Sequence, residues 1–121
     1  MRGFMVLMNA RTGETVARDV ELAFSRAARR RGLLGRDGLD MASALVLSSC
    51  WAIHTMFMRF AIDVIFVDRE GRAVRIVRDL PPWRMTAAFG AQSAIEFAGG
   101  SLRFLDVRVG DALSVVHAAE P

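Results

Sequence analysis

Asp63 makes the strongest chemical demand in the sequence. It stands between Phe60-Ala61-Ile62 and Val64-Ile65-Phe66-Val67, and a carboxylate in so apolar a setting is costly unless it is paired or accepts several hydrogen bonds. Arg59, Arg84, His54 and Thr55 are the candidate partners. Asp63 either pins a bend by accepting backbone N–H groups, the simpler role, or helps to hold a ligand. Glu96, flanked by Ile95 and Phe97, raises the same question. Two such carboxylates could share acid–base work, but nothing in the sequence places them within reach of each other.

Cys50 and His54 suggest a thiolate activated by an imidazole. On an extended strand this spacing separates the two side chains by about 13 Å, and Trp51-Ala52-Ile53 between them carries no nucleophile-elbow signature. A buried, reduced structural thiol is the commoner outcome. Cys50, His54, Met56 and Met58 together form a soft-ligand set that would suit Cu(I), although methionines in an apolar segment usually fill core. The chain has two histidines, and His117 falls in a tail expected to fray. The ligands for a closed zinc site are too few, so neither a metal nor another cofactor is expected. Trp83-Arg84, after Pro81-Pro82, reads as an exposed turn. Its aromatic and guanidinium suit a sugar or anion, or the ring simply covers the end of a sandwich.

The elements that must position these groups are short. Phe4–Met8 is an apolar strand stopped by the turn-like Asn9–Gly13. Thr15–Ala23 alternates as a half-buried strand would. Ser25 caps a short helix through Arg31, and Gly32 stops it; the only helix of more than two turns is expected within Ser25–Arg36. Ala44–Leu47 and Val64–Val67 are continuous apolar runs, the pattern of strands buried on both faces. Asp68-Arg69-Glu70-Gly71 has the residues of a type I turn and joins the second run to Arg72–Arg78 as a hairpin ended by Pro81-Pro82. Ala94–Phe97 is another strand, broken by Gly99-Gly100. A turn or short helix at Ser101–Leu105 leads through Gly110-Asp111 to a last strand, Ala112–Val116. Many short strands around one weak helix indicate a mainly β fold, an antiparallel sandwich or jelly-roll-like barrel.

Composition bounds the partners. With 121 residues, 53% hydrophobic and 24% charged, the chain has the make-up of one globular domain. No stretch approaches the roughly 18 apolar residues that cross a bilayer, and Phe4–Met8 is too short for a signal-peptide core. The single cysteine fits a reducing, cytoplasmic setting. All 16 basic residues are arginine, set against 13 acids for a net charge of only +3. They are scattered, and the one run, Arg29-Arg30-Arg31, is explained at least as well by a solvated helix face as by a phosphate contact. No nucleic-acid partner is expected.

Several segments in order resemble the domain of unknown function 192 family. Arg29-x-x-Gly32-Leu33-Leu34-Gly35-Arg36 is similar to its Arg-x-x-Gly-Leu-Met-x-Arg segment. His54-Thr55-x-x-Met58-Arg59-x-x-x-Asp63-Val64-Ile65-Phe66-Val67-Asp68 resembles its central block. Ile95-Glu96-Phe97-Ala98-Gly99 and Gly110-Asp111 resemble its C-terminal signature. The matched blocks span Ala17 to Leu113. The chain departs from the commoner version, which has Trp-Met-Lys-Asn-Thr before the central aspartate and a proline where Ala61 stands; roles of that Asn and Thr do not carry to Phe57 and Met58. The resemblance implies a compact β-sandwich or jelly-roll-like domain with a short helix, and it implies no activity.

The reading is a small β-sandwich that uses His54, Thr55, Arg59, Asp63, Arg84 and Glu96 to hold a small polar or anionic ligand, carbohydrate-like by analogy with other jelly rolls. One alternative is a small hydrolytic or thiol-dependent enzyme built on Cys50, His54 and Asp63. Another is a protein–protein adaptor without a pocket.

Overall fold

The computed structural model describes residues 3–119. Its centre is a five-stranded sheet in the order β3 (Asp19–Ala23), β4 (Ser43–Ser48), β9 (Ser93–Ala98), β6 (Ile62–Val67), β7 (Ala73–Leu80). The apolar runs fall where continuous hydrophobicity places them, in β4 and β6, and every residue of β6 is buried. Such strands need cover on both faces.

The alternation of side chains divides the sheet into two cores. Ile65, Val67, Ile95 and Phe97 point one way with Ala44 and Val20. Val64, Phe66, Ala94, Leu45 and Leu47 point the other way. A three-stranded sheet in the order β10 (Leu113–Ala119), β1 (Gly3–Asn9), β2 (Thr15–Ala17) covers the first face, contributing Leu7, Val16 and Leu113. The second face is covered by the helix α1 (Arg26–Arg31), by Leu33, and by the ribbon of β5 (Ala52–His54) and β8 (Met85–Ala87). The result is a sandwich; its sheets do not close into a barrel among the described residues.

Several elements differ from the sequence expectation for identifiable reasons. Thr15–Ala23 is two strands in two sheets, because Arg18 and Asp19 both turn their N–H groups to the Ala42 carbonyl and redirect the chain. β3 pairs with β4 in parallel, since the crossover through α1 brings the chain back in the same direction. Ser25 caps α1 by accepting a hydrogen bond from the Ala28 N–H at 3.0 Å. The helix is shorter than two turns, because Gly32 at φ 45° ends it and donates its own N–H to the Ala28 carbonyl. His117 lies in β10 opposite Met5, not in a frayed tail. The Asp68–Gly71 turn forms as expected, with Gly71 N–H donating to the Asp68 carbonyl at 3.0 Å.

Asp63 is fully buried on β6, facing the first core alongside its cross-strand neighbour Phe97. None of the four side chains expected to meet it does so. Its carboxylate accepts three backbone N–H groups instead, from Asp79 at 2.8 Å, Gly100 at 3.2 Å and Leu102 at 2.9 Å. The Gly99-Gly100 turn makes this possible. Gly100 sits at φ +90°, and a Cβ on Gly99 would come within 3.0 Å of the Ala61 carbonyl oxygen, so both positions need glycine. Asp63 therefore ties the end of β7 and the turn after β9 to one point on β6. Asp63→Asn keeps the shape but removes the charge and turns one acceptor into a donor facing donors. It should lower stability by about 1–3 kcal/mol, measured by urea denaturation; an unchanged midpoint and slope would show that the three amides do not depend on the carboxylate.

Candidate functional site

Glu96 is the other buried carboxyl of the central sheet, and its surroundings are the opposite of those of Asp63. It pairs across the ladder with Leu45 and Val64, so it points into the second core while Asp63 points into the first. The two acids lie on opposite faces of the sheet and cannot work as a pair. Glu96 is 3% exposed, and among the described residues no group donates a hydrogen bond to it. Burial pushes its pKa up from an ordinary 4.5 to about 7, against a smaller downward pull from Arg36. Arg36 is itself held by Glu21 at 2.8 Å.

The space in front of this carboxyl is a cavity of about 130 Å³ between the sheet and the end of α1. Glu96 and Leu47 form its floor. Arg29, Arg31 and the Gly32-Leu33-Leu34 turn form one wall, and Cys50, Ile53, His54 and Met58 form the other. The left-handed turn at Gly32 brings the chain close to the acid: a Cβ there would stand 3.7 Å from Glu96 Oε1. Arg29 is anchored by a hydrogen bond from its guanidinium to the Phe24 carbonyl. His54 is exposed, and its Nδ1 accepts the Met56 N–H at 3.3 Å.

Cys50 is half-buried rather than largely buried. Burial pushes its thiol up, and its Sγ donates to the Ala52 carbonyl at 3.1 Å. A nucleophilic cysteine needs the reverse, a thiol whose pKa is depressed. Cys50, His54 and Glu96 line the same cavity, yet among the described residues no three His, Cys, Asp or Glu side chains cluster closely enough to hold a metal ion.

Of the six expected ligand residues, the structure brings His54 and Glu96 to this cavity. Thr55 is fully buried in a knot with the Pro81–Arg84 loop: its hydroxyl donates to the Pro81 carbonyl at 2.7 Å and accepts the Arg84 N–H at 2.9 Å. The Arg84 guanidinium turns to the Trp83 carbonyl. Arg59 pairs with Asp37 at 2.6 Å in an exposed salt bridge. Trp83 is exposed and packs on Phe57 with ring centroids 4.6 Å apart. Residue types alone missed Arg29, Arg31 and Cys50 as neighbours of Glu96. The available signal was the pattern of the Arg29–Arg36, His54–Met58 and Ile95–Gly99 segments, which converge on this one cavity. A wider groove of about 720 Å³ under Trp51, Met85 and Phe89 has Arg75 as its charged lining residue and no acid.

Comparison with known proteins agrees with the fold and leaves the activity open. The family model described as "Uncharacterized ACR", domain of unknown function 192, matches residues 7–115. A UPF0127 protein of Thermococcus sibiricus is 31% identical over 113 residues, covering 89% of this chain and 73% of the relative. A UPF0127 protein of Thermococcus kodakarensis is 32% identical over 114 residues, covering 90% and 72%. The crystal structure of a protein of unknown function from Novosphingobium aromaticivorans superimposes with a TM-score of 0.76 at 21% identity, covering 91% of this chain and 82% of that one.

The raised pKa of Glu96 has a stability consequence with a definite sign. Above about pH 7 Glu96 is ionised in both states, and only the folded protein has to hold that charge away from water. As the pH falls from about 7 towards 4.5, the folded form takes up a proton first and gains stability, by about 3 kcal/mol at ~1.4 kcal/mol per pKa unit. Asp106 and Asp111 are shifted the other way, chiefly by hydrogen bonds from Arg11. Their stabilisation is lost only below their ordinary 3.8, outside this window. Urea midpoints should therefore rise in the wild type across the window and stay flat in Glu96→Gln. A wild-type profile that is flat or falls on acidification would contradict the assignment.

Proposed function

The chain belongs to the domain of unknown function 192 family, and from there we propose that it is a small-ligand binding module whose site is the cavity floored by Glu96. One observation carries this reading: a carboxyl 3% exposed faces a cavity with no hydrogen-bond donor of its own among the described residues. A buried acid without a partner destabilises a fold, and such a cost is retained where a site needs it. The missing donor is supplied by a small polar ligand.

The competing readings have less support. A thiol-dependent enzyme would need a depressed Cys50, and burial raises it. Asp63, the third member of that reading, faces the other layer and is saturated by backbone amides. An adaptor without a pocket does not account for the cavity. Among the described residues no helix is long and apolar enough to cross a membrane. The single cysteine and the dispersed arginines support a cytoplasmic protein without a nucleic-acid partner.

The test is thermal denaturation at about pH 8 with a panel of small polyols, monosaccharides, amines and amino acids. At least one class should raise the Tm of the wild type by about 5 °C or more near saturation and leave Glu96→Gln unmoved. If no compound shifts the wild type, or if the same shift occurs in Glu96→Gln, the cavity is not the site.

A further inference from the structure

We propose that the ligand of this cavity is a small zwitterion, whose primary amine meets Glu96 on the floor while a carboxylate or phosphate on the same molecule meets Arg29 and Arg31 at the mouth. This deepens, and rests on, the binding role proposed above.

The layout of charge carries the argument. Glu96 lies at the bottom, on a strand of the central sheet. Arg29 and Arg31, on the helix above it, line the cavity, Arg29 half-buried with its guanidinium on the Phe24 carbonyl and Arg31 exposed. Between the two levels the walls are apolar, formed by Leu33, Ile53 and Met58, which suits one or two methylene groups linking the charged ends. An engineered apolar cavity of about 150 Å³ accepts benzene, so a volume of about 130 Å³ suits a molecule of similar size.

The amine is preferred to a hydroxyl for a physical reason. An ionised carboxylate away from water needs its charge met as well as its lone pairs. An ammonium brings a unit charge and three donors, whereas a hydroxyl brings one donor and no charge. Among the described residues the charged and titratable groups around Glu96 are Cys50 and His54 on the β5 side, Arg29 and Arg31 on α1, and Arg36 beyond them. Pairing with an ammonium requires Glu96 ionised, so zwitterion binding tightens as the pH rises through the titration of Glu96. Binding of an anion alone would tighten in the opposite direction, because it needs Glu96 protonated.

Calorimetric titration at about pH 8 and about pH 5.5 separates these cases. The probes are β-alanine and O-phosphoethanolamine as zwitterions, ethanolamine as the amine alone, inorganic phosphate as the anion alone, and glycerol as the neutral donor. At least one zwitterion should bind about ten-fold or more tightly than ethanolamine or phosphate, and bind more weakly at the lower pH. Glu96→Gln should lose it, and the double variant Arg29→Gln, Arg31→Gln should bind it no better than ethanolamine. Ethanolamine binding as tightly as the zwitterions would overturn the proposal, as would phosphate binding that strengthens on acidification. Glycerol binding alone, dependent on Glu96, would overturn the zwitterion but leave the binding module standing. Binding of none of the probes would overturn the zwitterion, while the wider Tm panel decides the module separately. The two pH arms on the wild type do not depend on how any variant folds.

Discussion

A sheet buried on both faces leaves no solvent for a charge, and this constraint organises the whole molecule. Two acids sit on adjacent central strands, Asp63 on β6 and Glu96 on β9, pointing to opposite layers. Around Asp63 the chain satisfies the constraint completely: the end of β7 and the Gly99–Leu102 turn bend towards the carboxylate and give it three amides. Around Glu96 the chain stands back. The same physics makes one acid a structural tie and the other the floor of a cavity.

A second polar knot shows how far the fold goes to satisfy buried groups that are structural. Asn9 and Asp111 are buried at one end of the sandwich. Asp111 accepts from Asn9 at 2.8 Å, from the Arg11 side chain at 2.7 Å and from the Arg108 N–H at 2.9 Å. These bonds hold the Asp111 carboxyl well below the usual carboxylate range, the Arg11 bond most of all. Thr55 is treated in the same way by the Pro81–Arg84 loop. Against these, Glu96 stands apart as a buried carboxyl to which no described residue donates a hydrogen bond, and departures of this kind mark sites.

Much of the fold was legible in the sequence because its signals were local. The uninterrupted apolar runs marked β4 and β6, the Asp68–Gly71 turn marked the β6–β7 hairpin, and Ser25 and Gly32 bounded α1. The parallel β3–β4 pairing and the change of sheet at Arg18 were not legible, since both depend on where Ala42 lies in space. The three-residue strands β5 and β8 give no periodicity to read, and β5 forms part of one wall of the cavity. For the site, sequence singled out both acids by their apolar flanks but could not tell them apart. Flanking residues report how costly a carboxylate will be; only the alternation along β9 and β6 decides which layer it faces, and only the turns decide whether donors arrive.

The central claim is that Glu96 is a buried acid to which no described residue gives a hydrogen bond. The most direct measurement is a carbon-detected NMR titration of the Glu96 side-chain carboxyl in the wild type without added ligand. The account predicts a midpoint near 7, well above the ordinary range for glutamate. A midpoint at or below about 4.5 would mean that the carboxylate is already solvated or paired in the native protein, and the cavity would lose its reason to bind.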